Sequence, residues 1–259
     1  MPSTPCRPWV ISDYEYMPKM LRIGMMTPSS NTILEPMTQR MLRDMSHVST
    51  HFSRLRVTEV SLAEQADGQF GLQQIVESAD LLSDAKVHVM GWNATSASWR
   101  GFDTDKLLCS TLSQRYGIPA TTAVLAVNEL LNLFGIRRFA LVTPYLKNVQ
   151  DKIIDNYRDI GYECIAERHL AEADNYAFGE VSEDVISSMV REVSVQNPDA
   201  VVIMCTNLKG AQLAPALEAE LGVPIFDSVS AFVWQALVLG KVDPSPLSGW
   251  GRLFGGQRE

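Results

Sequence analysis

The side chains that could do chemistry in this sequence follow two similar apolar segments. Segments 87–90 and 200–204 each end in Met and run into small polar residues. The first segment is followed by Asn93, Thr95 and Ser96, and the second by Cys205, Thr206 and Asn207. Only the second carries a thiol. A thiol facing hydroxyl and amide groups predicts acid–base chemistry from one side of a bound substrate, with negative charge stabilised on the other.

Cys205 is the candidate catalytic group because it follows the end of a predicted strand and precedes two polar residues. A buried core cysteine is the alternative interpretation. That alternative fits the other three cysteines better, since Cys109 falls in a predicted helix, Cys164 in a predicted strand and Cys6 in an irregular arm. The four cysteines form no CxxC pair, which argues against a disulfide framework or a zinc site and favours a reduced, cytoplasmic protein.

A polar turn, Ser29, Ser30 and Asn31, follows the first predicted strand and precedes a helix. Ser30 or Asn31 could cap that helix. The same turn could also bind a carboxylate through main-chain N–H groups and the Asn amide. Both interpretations can hold together.

Tyr145 lies at the equivalent turn of the second half, after Thr143 and Pro144. Its phenol could donate to a bound anion, although an isolated tyrosine is more often a surface or interface residue. Thr95 and Ser96 carry the hydroxyls for an oxyanion cradle, with a polar turn before a helix as the alternative.

Strand and helix patterns alternate along the chain and restart near residue 136, which predicts parallel sheets covered by helices. Residues 26–31 parallel 142–147, Met90 parallels Met204, and 117–122 parallel 222–228. We therefore predict two similar parallel-sheet α/β domains, 21–135 and 136–240, related by pseudo-two-fold symmetry. An irregular arm (1–20) precedes them, and a tail (241–259) packs back on the first domain. The polar residues follow the carboxyl ends of strands, so the site is expected between the domains.

Composition excludes several classes of partner. The 259 residues are 46% hydrophobic and 20% charged, with a formal net charge of −8. This argues against nucleic acid or an anionic membrane as partner. No apolar run reaches the roughly 20 residues that span a bilayer, and the first 20 residues lack the pattern of a secretory signal. Scattered histidines and the absence of a GxGxxG or P-loop motif predict no metal, nucleotide or other cofactor.

The sequence resembles the aspartate/glutamate racemase superfamily, in its branch containing maleate cis-trans isomerase and arylmalonate decarboxylase. The resemblance runs from about Arg22 to Phe254. It rests on Pro28-Ser29-Ser30-Asn31, Thr95-Ser96 with Trp99-Arg100-Gly101, Val142-Thr143-Pro144-Tyr145, Ala173-Asp174-Asn175, Cys205 and Gly249-Trp250-Gly251-Arg252-Leu253-Phe254. It implies that Asn31 and Asn175 bind carboxylate and that Tyr145 and Cys205 are catalytic.

Racemases and maleate isomerases of this superfamily use two cysteines, one from each half. Here the first-half position is Asn93 or Ala94, and neither is a thiol. Arylmalonate decarboxylase also has only the second-half cysteine, but it lacks the Ser-Ser-Asn turn present here. The chain thus combines the two patterns.

We therefore expect a cofactor-independent enzyme acting on a small carboxylate, first of all a decarboxylase of a substituted malonate-type acid with Cys205 as proton donor. A maleate isomerase-like or racemase-like enzyme with Cys205 as nucleophile or acid/base is the alternative. A non-catalytic carboxylate-binding protein is the second alternative. A homo-oligomer is expected.

Overall fold

The computed structural model describes residues 20–64 and 68–255, so all but the last residue of the predicted N-terminal arm lies outside it. The first half contains β1 (Leu21–Pro28), α1 (Leu34–Leu42), β2 (Val48–Leu55), α2 (Leu72–Asp84), β3 (Val89–Trp92), α3 (Ala97–Arg100), α4 (Phe102–Tyr116), β4 (Ala120–Thr122) and α5 (Ala123–Leu133). The second contains β5 (Arg138–Thr143), α6 (Lys147–Asp159), β6 (Glu163–His169), α7 (Asn175–Glu180), α8 (Glu183–Ser194), β7 (Ala200–Ile203), α9 (Ala214–Leu221), β8 (Ile225–Asp227) and α10 (Ser228–Leu239). Short 3₁₀ segments cover Gly68–Phe70, Ser245–Trp250 and Arg252–Phe254.

Each half forms a four-stranded parallel sheet with the same topology. The order is β2-β1-β3-β4 in the first and β6-β5-β7-β8 in the second. The central strands are buried almost throughout, as expected for parallel strands covered on both faces by helices. The predicted fold class, two similar parallel-sheet α/β units, is confirmed.

Helices α5 and α10 join the halves. They pack against each other, and α10 also contacts β3 and β4 of the first sheet, while α5 contacts β8 of the second. Gly91 allows the close approach, because a Cβ there would overlap the Thr121 carbonyl oxygen and the Phe232 ring. Nearly every side chain of α10 is buried, which fits a helix enclosed between two sheets.

Local sequence signals explain most element ends. Gly117 and Gly222 adopt left-handed backbone conformations, with φ of +68° and +74°, and end α4 and α9 at equivalent points. Helix α9 begins at Ala214, later than the predicted residue 211, because Pro215 suits a first helical turn. Helix α1 ends at Leu42 and not at Met45, which is buried in the turn leading to β2.

The tail contacts both halves. Segment Ser245–Trp250 contacts α1 and α9, and the Arg40 guanidinium lies 5.8 Å from the centre of the Trp250 ring. The Arg252 N–H donates to Glu218 Oε2 at 2.8 Å. Phe254 is buried within the chain, so this aromatic group is not available to a second subunit. Within the described ranges, no helix has the length and apolar character needed to cross a membrane.

Candidate active site

A small pocket lies where the carboxyl ends of the two sheets face each other. Its cavity volume is only about 10 Å³, and it is lined from both halves. Its polar wall comprises Thr95, Tyr145, Asn175, Cys205 and Thr206, and its other wall Pro28, Val57, Val60, Phe70, Ala94 and Trp99. Among the residues that the structure describes, neither wall carries Lys or Arg, so a bound carboxylate would meet neutral hydrogen-bond donors. The described residues hold no group of three or more His, Cys, Asp or Glu placed to bind a metal ion.

Strand register identifies the residue opposite Cys205. Met26 pairs with Trp92 in the first sheet, and Val142 pairs with Ile203 in the second. The next N–H on each chain, from Asn93 and Met204, donates to the carbonyls of Met26 and Val142 at 2.9 and 3.0 Å. One residue further on, Ala94 therefore occupies the place of Cys205. The first-half counterpart of the thiol is a methyl group in the pocket wall.

Cys205 is buried, with 2% of its surface exposed. Burial raises the pKa of its thiol to about 12, so it is protonated near neutral pH. Three donors oppose that rise: the Tyr145 hydroxyl and the N–H groups of Asn207, at 3.4 Å from Sγ, and Leu208. The negative charge of Asp227 raises the pKa further. The site therefore holds a protonated thiol whose conjugate thiolate would still find hydrogen-bond donors.

Two hydrogen bonds cross the pocket in a symmetric way. The Tyr145 hydroxyl, from the second half, shares a 2.6 Å hydrogen bond with the Thr95 hydroxyl of the first. Asn31 Nδ2, from the first half, donates to Thr206 Oγ1 of the second at 3.2 Å. Burial raises the pKa of Tyr145 well above its ordinary value, so its phenol stays neutral. Each half thus extends one polar side chain to the threonine of the other.

The predicted carboxylate-binding turn is organised differently from the expectation. The N–H groups of Thr32 and Ile33 donate to Asn207 Oδ1 at 2.9 and 3.2 Å. Asn31 Oδ1 accepts from Ile33 and Leu34 at 3.0 and 2.9 Å, so Asn31 satisfies the start of α1. These N–H groups already have partners within the protein. The amide NH₂ of Asn31 donates one hydrogen bond to Thr206 and has a second N–H to offer a ligand.

Ser29 and Ser30 lie outside the pocket wall. Ser29 is exposed and its hydroxyl bonds with the main chain of Val57. The Ser30 hydroxyl donates to the Val57 carbonyl and accepts from Asn175 Nδ2, both at 2.7 Å. Ser30 therefore positions Asn175, which reaches the pocket. Both serines had been expected to bind substrate, and in this geometry they support the residues that could.

Asn93, Ser96 and Asn207 are buried behind the wall. Asn93 Nδ2 points to the Met25 sulfur at 3.7 Å, because alternation along the chain directs Ala94 and not Asn93 into the pocket. The Ser96 hydroxyl accepts from Trp92 Nε1 at 3.2 Å. Asn207 Nδ2 donates to the Asn175 carbonyl at 2.5 Å. Of the predicted binding residues, Thr95, Asn175 and Thr206 line the pocket directly.

Sequence reasoning did not identify Val57, Val60 and Phe70 of the apolar wall. Val57 and Val60 come from the loop after β2. Two hydrogen bonds of 2.9 Å tie this loop to the second half: the Val60 N–H donates to the Ala173 carbonyl, and the Asn175 N–H donates to the Thr58 carbonyl. Trp99 packs edge-on against Tyr145, with ring centres 5.3 Å apart. No local motif marks such residues, since they are brought to the site by the chain crossing between the halves.

Comparison with known proteins identifies relatives over nearly the whole chain. A family model described as arylmalonate decarboxylase matches residues 23–254. The maleate isomerase of Pseudomonas putida is 27% identical over 252 residues, covering 93% of this chain and 99% of the relative. The arylmalonate decarboxylase of Bordetella bronchiseptica is 25% identical over 235 residues, covering 90% and 95%.

Solved structures share the fold. A Nocardia farcinica maleate cis-trans isomerase mutant with a covalently bound succinylcysteine intermediate superposes with a TM-score of 0.83 at 23% identity, covering 93% of this chain and all (100%) of that one. Unliganded arylmalonate decarboxylase gives 0.73 at 25% identity, covering 91% and 99%. The predicted membership in the superfamily branch of maleate isomerase and arylmalonate decarboxylase is confirmed. The prediction that the protein is a lyase or an isomerase is confirmed with it. The chain belongs to the arylmalonate decarboxylase family.

Proposed function

We propose that this protein decarboxylates a substituted malonate-type acid without a cofactor and that Cys205 protonates the resulting carbanion. The observation that carries the proposal is the pairing of Cys205 with Ala94 across the pocket. With a thiol on one side and a methyl group on the other, a proton can be delivered to one face of the substrate only. The arylmalonate decarboxylase relative supports the reaction class.

The hydroxyls of Thr95 and Tyr145 and the amide of Asn31 would bind the carboxylate that is retained. As the bond to the second carboxyl group breaks, its electron pair passes to the retained part as an enediolate, and these donors stabilise the developing charge. Val57, Val60 and Phe70 would surround the departing carboxylate, whose charge is poorly solvated against an apolar wall.

The second step is proton transfer. The Cys205 S–H bond breaks, a C–H bond forms at the carbanion, and the thiolate left behind recovers a proton from solvent. A thiol with a pKa near 12 is protonated at the start of every turnover, which suits a proton donor. The Tyr145 hydroxyl and the N–H groups of Asn207 and Leu208 stabilise the transient thiolate.

The test is turnover of a series of 2-substituted malonates in deuterated water. We expect release of carbon dioxide, one deuteron at the α-carbon and a single product enantiomer. Cys205→Ala should lose turnover, and Cys109→Ala, which removes a thiol far from the pocket, should retain it. Racemic product, or full activity in Cys205→Ala, contradicts the proposal.

A maleate isomerase-like reaction is the second candidate, favoured by the two amides Asn31 and Asn175 and by four related enzymes that are maleate isomerases. With Ala94 opposite, Cys205 would itself have to attack the alkene carbon as a thiolate. Incubation with maleate, followed by product analysis and intact-mass measurement, separates the two. Formation of fumarate together with a succinyl adduct on Cys205 supports the isomerase. The absence of both with maleate, in a protein that releases carbon dioxide from malonates, supports the decarboxylase.

A carboxylate-binding protein without turnover is the third candidate, supported by the missing first-half thiol. Thermal stabilisation by malonates or maleate without product formation would favour it. A homo-oligomeric state and a cytoplasmic location stay predictions.

A further inference from the structure

Asp227 occupies the place in the second half that Thr122 occupies in the first. Trp92 pairs with Thr122 and Ile203 pairs with Asp227, and Trp92 and Ile203 are themselves equivalent. The two halves therefore differ at two related points. In the half that carries the thiol, at Cys205, the residue at this point is itself a buried carboxyl group. In the first half the buried carboxyl group, Asp105, comes from α4 and accepts a hydrogen bond from the Thr122 hydroxyl.

Helix capping does not require that carboxyl group. Asp227 Oδ1 accepts from the N–H groups of Val229 and Ser230 at 2.9 and 3.1 Å and so caps α10. Thr122 caps α5 with a neutral hydroxyl, which accepts from Leu125 N–H at 3.1 Å. Ser, Thr and Asn serve as caps without a charge that must be buried. The cap alone therefore does not explain why a carboxyl group is buried at position 227.

The second carboxyl oxygen, Oδ2, faces the loop that begins at Cys205. It is buried and has no hydrogen-bond partner among the described residues. A Cβ on Gly210 would lie 2.5 Å from it, so the loop 205–210 passes close over the carboxyl group at a glycine. The one cation of that loop, Lys209, is directed away and donates to the Val181 carbonyl at 3.4 Å. The carboxyl group is thus enclosed by the thiol-bearing loop and left without a cation.

Burial raises the pKa of Asp227 to about 7, opposed only by the two capping N–H groups. When Asp227 is ionised, its charge acts on the Cys205 thiol and disfavours the thiolate.

We propose that Asp227 is a positioning residue for Cys205: its buried carboxylate holds the cysteine in the thiol form, which donates protons, and opposes the thiolate, which would attack carbon. The inference rests on the proposed function in one respect, the role of Cys205 as donor. After Cys205 has given its proton to the carbanion, repulsion between thiolate and carboxylate would favour recovery of a proton from water.

The experiment measures the alkylation rate of Cys205 by iodoacetamide, followed by mass spectrometry of the Cys205 peptide, in wild type, Asp227→Asn and Asp105→Asn. Asp227→Asn keeps the cap and removes the charge. Asp105 is the matched control, a buried carboxyl in the first half whose pKa is also raised to about 7 by burial. Since only thiolate reacts, the rate reports the thiolate fraction.

We expect Asp227→Asn to react roughly tenfold faster than wild type at pH 8.5 and at about the same rate at pH 5.5, where the wild-type carboxyl is protonated. Asp105→Asn should match wild type at both. An equal rate increase at both pH values would indicate an opened pocket and overturn the proposal, as would no increase at pH 8.5. Asp227→Thr, which copies Thr122, should behave like Asp227→Asn and guards against failure of one variant to fold.

Failure of this inference is distinguishable from failure of the proposed function. If no malonate is decarboxylated but the pH-dependent increase is found, the link between Asp227 and Cys205 stands and the reaction assignment fails. If malonates turn over stereospecifically while alkylation of Asp227→Asn equals wild type, the reaction assignment stands and the link fails.

Discussion

The loop after β3 and the loop after β7 share a backbone plan and differ in their chemistry. Both place a threonine in the pocket, Thr95 and Thr206, each bonded to a side chain from the opposite half. The residue before it is Ala94 in one loop and Cys205 in the other. Polar side chains are therefore arranged on both sides of the pocket, whereas the thiol lies on one side only. This difference is the basis of the proposed one-sided acid–base chemistry.

Moving the thiol tests that comparison most directly. Cys205→Ala should lower turnover of an accepted malonate by about 10²–10⁴-fold, because it removes the proton donor. Adding Ala94→Cys to this variant should restore part of the activity with the opposite product enantiomer, since the register places residue 94 across the pocket. Chiral chromatography of the product measures both effects.

The same enantiomer from the double variant would contradict the one-sided assignment. Cys164→Ala is the control, because Cys164 lies in β6 away from the pocket wall and should leave rate and enantiomer unchanged.

The second contrast, Asp227 against Thr122, predicts a pH dependence of stability. Burial raises the pKa of Asp227 from an ordinary 3.8 to about 7, so the folded state binds a proton more tightly than the unfolded state does. The resulting contribution to stability is fully present below about pH 4 and is lost as the pH rises through 7. Asp227→Asn should gain stability relative to wild type between pH 4 and pH 8, by up to about 4 kcal/mol. Urea unfolding at the two pH values measures the gain.

Asp105→Asn should show a gain of the same sign, since the pKa of Asp105 is also raised to about 7. The two variants should therefore agree in stability and differ in Cys205 reactivity. A stability difference that does not change with pH would contradict the buried-carboxyl explanation.

Tyr145 is the second-half side chain that reaches into the first half, and its loss should weaken the anion-binding side. Tyr145→Phe keeps the ring contacts with Trp99 and Phe178 and removes the hydroxyl shared with Thr95. We expect kcat to fall by roughly 10²-fold, the scale of one lost oxyanion donor, with a smaller change in KM. Steady-state kinetics measures the split.

Because the tyrosine hydroxyl also bonds to Cys205, the pH profile should change as well. Losing that donor removes an interaction that lowers the pKa of the thiol, so thiolate formation should need a higher pH. Unchanged kcat in Tyr145→Phe would place the hydroxyl outside the reaction.

The sequence predicted the two sheets, because apolar segments and paired Gly-x-Pro stops recur in both halves. It was wrong in ending the third strand at Met90 and in matching Met90 with Met204, since β3 ends at Trp92 and the register makes Asn93 the counterpart of Met204. It left the residue opposite Cys205 undecided between Asn93 and Ala94. The difference in residue number between equivalent positions of the two halves changes along the chain. Only the pairing of Met26 with Trp92 and of Val142 with Ile203 in the sheets shows which residues are equivalent at this point. Short helices α3 and α7 were not predicted, since four and six residues carry little periodicity.

The supporting residues were harder to predict than the catalytic candidate. Ser29, Ser30 and Asn207 have the right residue types for ligand binding, yet their polar atoms are bonded to main chain or to other side chains. The sequence did not single out Asp227, whose second carboxyl oxygen is distinguished only by the loop folded over it. Such roles depend on contacts between distant segments, which residue type and spacing do not encode.

The third residues of the two loops, Ser96 and Asn207, give the smallest expected effect. Asn207 joins the halves, because its side chain accepts from Thr32 and Ile33 and donates to the Asn175 carbonyl. Ser96 accepts from Trp92 within its own half. Asn207→Ala should lower the free energy of unfolding by about 1–3 kcal/mol, since buried N–H groups and a carbonyl lose their partners. Ser96→Ala should cost about 1 kcal/mol or less.

Urea unfolding of both variants ranks the two losses. A greater loss in Ser96→Ala would mean that the contact within one half matters more than the bridge between halves. Asn207→Ala should also raise KM, because Asn175 lines the pocket and Asn207 supports its backbone. Ser96→Ala should leave KM near wild type if Ser96 lies behind the wall. A rise in KM in Ser96→Ala alone would show that the hydroxyl reaches the substrate, so the first-half loop would contribute two binding groups and the second only one.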